Sequence, residues 1–113
     1  MKGLDAVVPP FEPGQSKAVF HLYVIRNGDR DALAASLNSE GISTGLHYPL
    51  PVHLQKCYRN WGYPAGGLPV TERAAAEILS LPMFPGLAGS TQQRVVSALS
   101  EALANGVGGV MRR

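Results

Sequence analysis

Cysteine and charge are both scarce in this sequence. Cys57 is the single cysteine among 113 residues, so no internal disulfide can form and a disulfide-stabilised scaffold is excluded. A lone thiol is compatible with a reducing compartment such as the cytoplasm. Charged residues make up only 16% of the chain and the formal net charge is +2, which does not favour nucleic acid or an anionic membrane as a partner.

Long hydrophobic runs are also missing. No stretch approaches the roughly 18 apolar residues that a membrane helix needs, and the first residues lack the apolar core of a signal peptide. The sequence therefore predicts a soluble, cytoplasmic protein. Hydrophobic residues nevertheless make up 45% of the chain, which is too many for a disordered segment, and 113 residues allow one core.

The first third of the chain predicts one strand and one helix. Residues 1–14 are rich in proline and predict an irregular opening segment. Residues 19–26 are rich in β-branched and aromatic types and predict a strand. Asp29 can cap a helix that runs to about Glu40, and Gly41 fits the left-handed position that closes it.

The middle of the chain predicts a long irregular segment between short elements. A short strand is expected over 42–47, and residues 48–69 contain so many prolines and glycines that they allow at most one helical turn. A helix over 69–78 and an apolar strand over 79–84 follow. An irregular segment of this length in a small domain is typically functional or covered by a partner.

The last predicted element is a helix that ends near Ala104. Ser90 and Gln93 form a plausible capping box at its start, and residues 105–113 are expected to be a flexible tail. The element order predicts an α+β two-layer sandwich, with a small three- to four-stranded sheet and helices on one face. Alternation along the first long strand divides its apolar residues between two faces. We expect the helices to cover Phe20, Leu22 and Val24, and the opposite face, with Val19, His21, Tyr23 and Ile25, to need another partner.

Reactive side chains are concentrated in residues 45–58. His47, His53 and Cys57 have a spacing that suits a zinc site, but no fourth ligand is near, so histidines bonded to loop carbonyls are the favoured interpretation. A cysteine nucleophile with a histidine base lacks an orienting third group. Cys57 is expected to be a small buried hydrophobe instead.

For four further sets of residues, a structural role is the favoured interpretation. Tyr58, Trp61 and Tyr63 could stack on a sugar or base, but they more often cover the edge of a core. His21 is expected to be a core or interface histidine rather than a catalyst. The turn over 62–67 lacks the ending of a nucleotide loop and predicts a surface turn. The charged side chains of the helix that follows predict a solvated face; they are Glu72, Arg73 and Glu77.

Two longer motifs carry a resemblance to a known family. Residues 41–55 read GISTGLHYPLPVHLQ, and residues 68–87 read LPVTERAAAEILSLPMFPGL. Together they resemble the C-terminal small domain of the DegT/DnrJ/StrS sugar aminotransferases. The resemblance covers residues 15–104, which are therefore expected to be that small domain.

The resemblance implies an enzyme family that uses pyridoxal phosphate. Its members work as homodimers and transfer an amino group, usually from glutamate, to a keto group on a nucleotide-linked sugar. Their Schiff-base lysine lies on a large N-terminal domain, and neither Lys2, Lys17 nor Lys56 has a comparable sequence context. This chain alone is therefore expected to hold no cofactor stably and to be inactive.

The resemblance also implies four residues near the substrate or cofactor: His47, Tyr48, Pro49 and His53. His47 and Tyr48 could donate hydrogen bonds to a ligand oxygen. The alternative is that the prolines only fix the path of the loop, His53 caps the turn after them, and none contacts a ligand.

Three functions are compatible with these observations. The first is part of an aminotransferase whose partner is the missing N-terminal domain. The second is an interaction module that docks on a complete aminotransferase or another subunit. The third is a small sugar-binding protein that uses the aromatic loop. In each case the unpaired apolar sheet face predicts self-association.

Overall fold

The structure is a computed structural model that describes residues 6–107. Two 3₁₀ helices, Val52–Leu54 and Lys56–Trp61, interrupt the long irregular segment. The strands and α-helices, in chain order, are β1 (Val7–Val8), β2 (Tyr23–Asn27), α1 (Arg30–Ser39), α2 (Pro69–Glu77), β3 (Ile78–Leu81) and α3 (Gly89–Ala104).

The sheet has three strands in the order β1-β2-β3, and both pairs are antiparallel. The α+β class and the small sheet are therefore confirmed. The expectation that residues 1–14 are wholly irregular is wrong at β1, because Val7 pairs with Asn27. Asn27 is fully buried, and its Nδ2 donates to the Ala6 carbonyl at 2.8 Å. This contact stabilises a strand too short to be evident from sequence.

The core lies between one face of the sheet and the helices α1 and α3. Ile25 pairs with Leu79 at the centre of the sheet, and both are almost fully buried. Leu33 and Leu37 of α1 have no exposed surface, and Leu99 of α3 packs in the same cluster. The 3-4 spacing of the apolar residues in these two helices thus forms the stripes that cover the sheet.

The expected assignment of the two sheet faces is wrong. Tyr23 and Ile25, not Val24, lie on the face that α1 and α3 cover. Val19 is 95% exposed and lies outside the strand, which begins only at Tyr23. The apolar run in the sequence is longer than the ladder, because β3 has only four residues to pair with it.

The cap signals of α1 are confirmed, whereas that of α3 is wrong. The Asp29 side chain accepts a hydrogen bond from the Ala32 amide at 3.4 Å, and Gly41 has φ +73° after the helix. The residue before α3 is Ala88, which supplies no side-chain cap. Because the helix begins at Gly89, Ser90 is not its cap residue, and Ser90 and Gln93 form no capping box. Gln92 donates from Nε2 to the Leu87 carbonyl instead.

Two other boundaries differ from the expected ones. The strand expected over 42–47 is reduced to a single antiparallel bridge between Gly45 and Ser80. The flexible tail expected from residue 105 begins with ordered residues, because the Val107 amide donates to the Ala102 carbonyl and its side chain packs against the core. Residues 108–113 of that predicted tail lie outside the described residues.

No helix within residues 6–107 has both the length and the apolar character needed to span a membrane.

Candidate functional site

The second face of the sheet, opposite the core, carries polar side chains beside the apolar Val24 and Ile78. Side chains alternate along a strand, so Val24, Arg26 and Ser80 point away from the α1 and α3 side. The Arg26 guanidinium pairs with the carboxylate of Glu77, the last residue of α2, and its Nε lies 2.9 Å from Glu77 Oε2. Residues distant in sequence therefore cover this face through polar contacts.

His47 is attached to this second face. Its Nδ1 lies 2.9 Å from the Ser80 Oγ. Backbone hydrogen bonds run both ways between Gly45 and Ser80, at 3.0 and 2.8 Å, and hold the chain two residues before His47 against β3. His47 itself is exposed, so a fixed backbone and a serine hydroxyl present its ring to solvent.

Gly45 gives the His47 ring the space that it occupies. A Cβ atom built on Gly45 would lie 2.8 Å from His47 Cε1, closer than ordinary van der Waals contact. Any other residue at this position would have to displace the ring. The glycine in the sequence Gly45-Leu46-His47 therefore leaves room for the ring beside Ser80, and its backbone has no positive φ.

Tyr48 and Pro49 follow His47 directly in the chain and lie at the surface with it. Tyr48 is 73% exposed, and its ring lies edge-on to the His47 ring with centroids 5.7 Å apart. Pro49 is exposed as well. His47 and Tyr48 thus form a pair of exposed polar aromatic rings with hydrogen-bonding atoms.

His53 has different surroundings. It lies in the first 3₁₀ helix, is 7% exposed, and its Nε2 is 3.0 Å from Glu72 Oε1. One ring nitrogen is therefore already engaged by a protein carboxylate. The structure brings His47, Tyr48 and Pro49 together at the surface and places His53 inside the loop.

Glu72 of α2 holds the irregular segment in place. Its carboxylate accepts hydrogen bonds from the Gly66 amide at 2.9 Å and the Leu68 amide at 3.2 Å, in addition to the His53 contact. The Gly66 amide, followed by the His53 side chain, lowers the pKa of Glu72 below its ordinary value, since both favour the ionised form. The predicted surface turn over 62–67 is thus anchored to a helix.

The expected solvated face of α2 is wrong for two of its three charged residues. Glu72 binds the loop and Glu77 pairs with Arg26, whereas Arg73 is exposed as expected. Two further expectations are corrected. Cys57 is exposed and not a buried hydrophobe, and His21 is exposed, so of its two expected positions, core or interface, the core is wrong.

The histidines and the cysteine do not form a metal centre in the described part of the chain. His47 bonds to Ser80 and His53 to Glu72, while Cys57 is exposed. Across residues 6–107, no group of three or more His, Cys, Asp or Glu side chains is arranged to hold a metal ion.

Two of the three aromatic residues of the loop pack on each other. Tyr58 and Trp61 have ring centroids 4.3 Å apart, and Trp61 and Tyr63 remain 61% and 52% exposed. None of the three belongs to the main core cluster or packs against it. Tyr58 and Trp61 therefore form a small aromatic pair outside the main core cluster.

The amino-acid sequence matches one known protein family over most of its length. The sequence profile of the DegT/DnrJ/EryC1/StrS aminotransferase family matches residues 1–100. The chain belongs to this family. The match begins at residue 1, so it includes the opening segment that the motifs alone left outside the expected range 15–104.

Relatives of known name support the DegT family assignment. A pleiotropic regulatory protein of Geobacillus stearothermophilus is 50% identical over 97 residues, which are 86% of this chain and 26% of that protein. A dTDP-3-amino-3,4,6-trideoxy-alpha-D-glucose transaminase of Streptomyces venezuelae is 38% identical over 101 residues, which are 89% of this chain and 27% of that protein. The chain thus spans about a quarter of the length of these relatives and corresponds to their C-terminal portion.

Solved structures of the DegT family have the same fold. The S. venezuelae protein DesV, in complex with a ketimine intermediate, has a TM-score of 0.85 and 37% identity, covering 90% of this chain and 28% of DesV. A DegT DnrJ EryC1 StrS aminotransferase from Brucella abortus has a TM-score of 0.79 and 36% identity, covering 88% of this chain and 27% of the other.

The described residues do not by themselves fit the pyridoxal phosphate that DegT aminotransferases use. A Schiff-base lysine has to be enclosed beside the cofactor ring, where its surroundings can activate the amine. Lys17 and Lys56 are both exposed, and Lys2 lies outside the described residues. The described residues therefore support no step of cofactor chemistry by themselves.

Proposed function

We propose that this chain is the C-terminal small domain of a sugar aminotransferase and supplies one rim of its substrate site. The parent reaction is transfer of an amino group, usually from glutamate, to a nucleotide-linked keto sugar. The observation that carries the proposal is the exposed His47 ring, held by Ser80 in a fold close to that of a ketimine-bound family member. His47 and Tyr48 would donate hydrogen bonds to an oxygen of the substrate or cofactor.

The proposal divides the work between two parts of an enzyme. A large N-terminal domain, or a complete aminotransferase subunit, is the partner that holds the cofactor and its lysine. This chain would position and shield the ligand, and would be inactive alone. Exposed apolar side chains such as Val19 and Phe84 offer surfaces for that partner or for self-association. The exposed Cys57 thiol is compatible with the reducing cytoplasm.

A chimeric enzyme tests the proposed function. The C-terminal portion of the S. venezuelae transaminase is replaced by this chain, and transamination of the relative's own sugar nucleotide is measured. We expect an active chimera whose kcat/KM falls about tenfold or more in His47→Ala, the loss typical of one hydrogen bond to a reacting ligand. Asn38→Ala is the matched control, because Asn38 is exposed on α1, which covers the opposite face of the sheet. An active chimera in which the two variants are equally fast would contradict the role of His47.

A labelling experiment on the isolated chain tests whether it binds the cofactor without a partner. After incubation with pyridoxal phosphate and borohydride, we expect no stoichiometric reduction at a single lysine, because Lys17 and Lys56 are exposed. Mass spectrometry of the digested protein measures this. Reduction confined to one lysine, together with transamination of a keto sugar, would show that the chain is a complete catalyst.

A sugar-binding role is the second candidate, favoured by the exposed rings of Trp61 and Tyr63. Trp61 is the only tryptophan, so its fluorescence reports directly on the loop. Saturable quenching of Trp61 fluorescence by a sugar nucleotide, weakened in Tyr63→Ala, in which the reporter is retained, would support this function. An interaction module would instead bind a complete aminotransferase without any effect of sugar.

A further inference from the structure

Ser80 places a hydroxyl group in a buried position of the sheet. It lies in β3, opposite Val24 of β2, and is 4% exposed. Its backbone amide and carbonyl are both bonded to Gly45. A serine hydroxyl carries one hydrogen to donate, and a buried donor without an acceptor is costly, so the direction of this O–H group matters.

Within residues 6–107, the one side-chain hydrogen bond of Ser80 joins its Oγ to His47 Nδ1 at 2.9 Å. Two arrangements are possible in a neutral ring. If Nδ1 carried the proton, the ring would donate to Ser80 and the serine proton would point to no acceptor in the described structure. If Nδ1 is the acceptor, the serine proton is satisfied and the ring proton lies on Nε2. The second arrangement leaves no buried donor unpaired and is therefore favoured.

The Ser80 hydroxyl selects which nitrogen faces the sheet, and Gly45 leaves the ring the space to reach it. The ring lies so close to Gly45 that a Cβ there would be 2.8 Å from His47 Cε1, and the bridge to Ser80 holds Gly45 against β3. A ring rotated away from Ser80 would lose the hydrogen bond to the hydroxyl. Nδ1 is thus directed inward, and Nε2, which has no hydrogen bond in the described part of the chain, is the free nitrogen.

We propose that Ser80 is a positioning residue that holds His47 as its Nε2–H tautomer, so that the ring presents a hydrogen-bond donor to an acceptor oxygen of a bound ligand. That His47 faces a ligand rests on the proposed function. The tautomer itself rests only on Ser80, His47 and Gly45. A donor at this position would bind a hydroxyl, carbonyl or phosphate oxygen and would not abstract a proton in this form.

Nitrogen-15 NMR of the histidine rings in the full chain tests the tautomer directly. At a pH where His47 is neutral, we expect its Nε2 to show the shift of a protonated nitrogen and its Nδ1 that of an unprotonated one. His47→Gln identifies the resonances among the three histidines. A His47 ring protonated on Nδ1 would overturn the proposal.

Two pairs of substitutions distinguish a positioning role of Ser80 from an effect of packing. Ser80→Ala removes the hydroxyl, and we expect His47 to become a mixture of both tautomers. Ser80→Thr keeps a hydroxyl in a strand that tolerates β-branched residues, and should keep the single tautomer. Gly45→Ala should displace the ring and broaden its resonances, whereas Gly14→Ala is the matched control, because a Cβ there meets nothing within 4 Å. A tautomer ratio unchanged by Ser80→Ala would overturn the proposal.

The chimeric enzyme distinguishes this inference from the proposed function. In an active chimera, we expect Ser80→Ala to lower kcat/KM several-fold and Ser80→Thr to restore it. An inactive chimera whose isolated small domain still shows the Nε2–H tautomer counts against the proposed function and leaves the tautomer assignment standing. An active chimera that loses nothing in Ser80→Ala counts against positioning.

Discussion

The two faces of the sheet are built in different ways. One face packs apolar side chains such as Ile25 and Leu79 against two helices. The other carries Arg26 and Ser80, which bond to Glu77 and His47. Burial of apolar surface is not directional and tolerates small shifts, whereas each polar contact requires one atom at one distance. The first face stabilises the domain, and the second holds His47, which we propose faces a ligand.

A substitution in the apolar core should lower the free energy of unfolding the most. Leu37→Ala removes a side chain with no exposed surface, which costs about 2–5 kcal/mol of unfolding free energy because a cavity remains. Urea unfolding followed by circular dichroism measures the change. Leu50→Ala is the matched control, since Leu50 is 48% exposed and should change stability by about 0.5 kcal/mol or less. Equal losses in both variants would mean that the core is not where the structure puts it.

Glu72→Ala should release the loop without unfolding the core. The Gly66 and Leu68 amides lose their acceptor, so we expect them to exchange with solvent nearly as fast as unprotected amides. The amides of β2 and β3 should stay protected. Hydrogen exchange by NMR measures both regions, and Trp61 fluorescence should shift toward that of a solvated indole. Loss of protection throughout the sheet would show that the two faces are not independent.

The same carboxylate should make the loop sensitive to acid. The folded-state pKa of Glu72 lies below its ordinary value of 4.5, so its ionised form stabilises the native loop. This stabilisation is fully present above pH 4.5 and is lost as the pH falls through the lowered pKa. Exchange of the Gly66 amide, followed from pH 6 to 3, should accelerate after correction for intrinsic exchange. Glu72→Gln, which keeps the shape but cannot ionise, should lack this acid-dependent step.

The Arg26–Glu77 pair should contribute less than the core contacts. Its side chains are 36% and 14% exposed, and a pair of this kind is worth about 0.2–1 kcal/mol because solvent screens it. A double-mutant cycle with Arg26→Met and Glu77→Gln isolates the interaction in urea unfolding. A coupling free energy as large as the Leu37→Ala loss would mean that the polar face also dominates stability.

Cys57→Ser should have the smallest effect. The thiol is exposed and Cys57 is not part of the apolar core cluster, so stability should change by about 0.5 kcal/mol or less. A thiol reagent should titrate one group per folded chain without denaturant. A protected thiol in the native protein would place residue 57 in a packed environment and contradict the exposed position.

Local signals predicted much of the core face. The Asp29 cap and Gly41 bound α1 because each acts on the backbone within a few residues of itself. In α3, Val95 and Leu99 are four positions apart, a spacing typical of the buried stripe of a helix, and both are buried. The assignment of the faces of β2 failed because alternation gives two sets of residues without saying which one the helices cover.

The polar contacts of the second face and of the loop could not be predicted from local sequence signals. Glu72 has the same sequence surroundings as a solvated glutamate, and only the folded loop brings the Gly66 amide to it. Ser80 lies in an apolar strand with no sign of the histidine that reaches it from 33 positions away. The motif that contains His47 and Tyr48 pointed to a site through family resemblance, while the contacts that hold it depend on tertiary structure.

The sheet also leaves little edge for another chain to extend. β1 has only two residues and is followed by Pro9 and Pro10, which have no amide hydrogen to donate. The outer side of β3 is partly occupied by the bridge to Gly45. Short and interrupted edges of this kind protect natural proteins from strand-to-strand polymerisation and amyloid growth. We therefore expect assembly through this domain to use side-chain surfaces and not a continuous ladder.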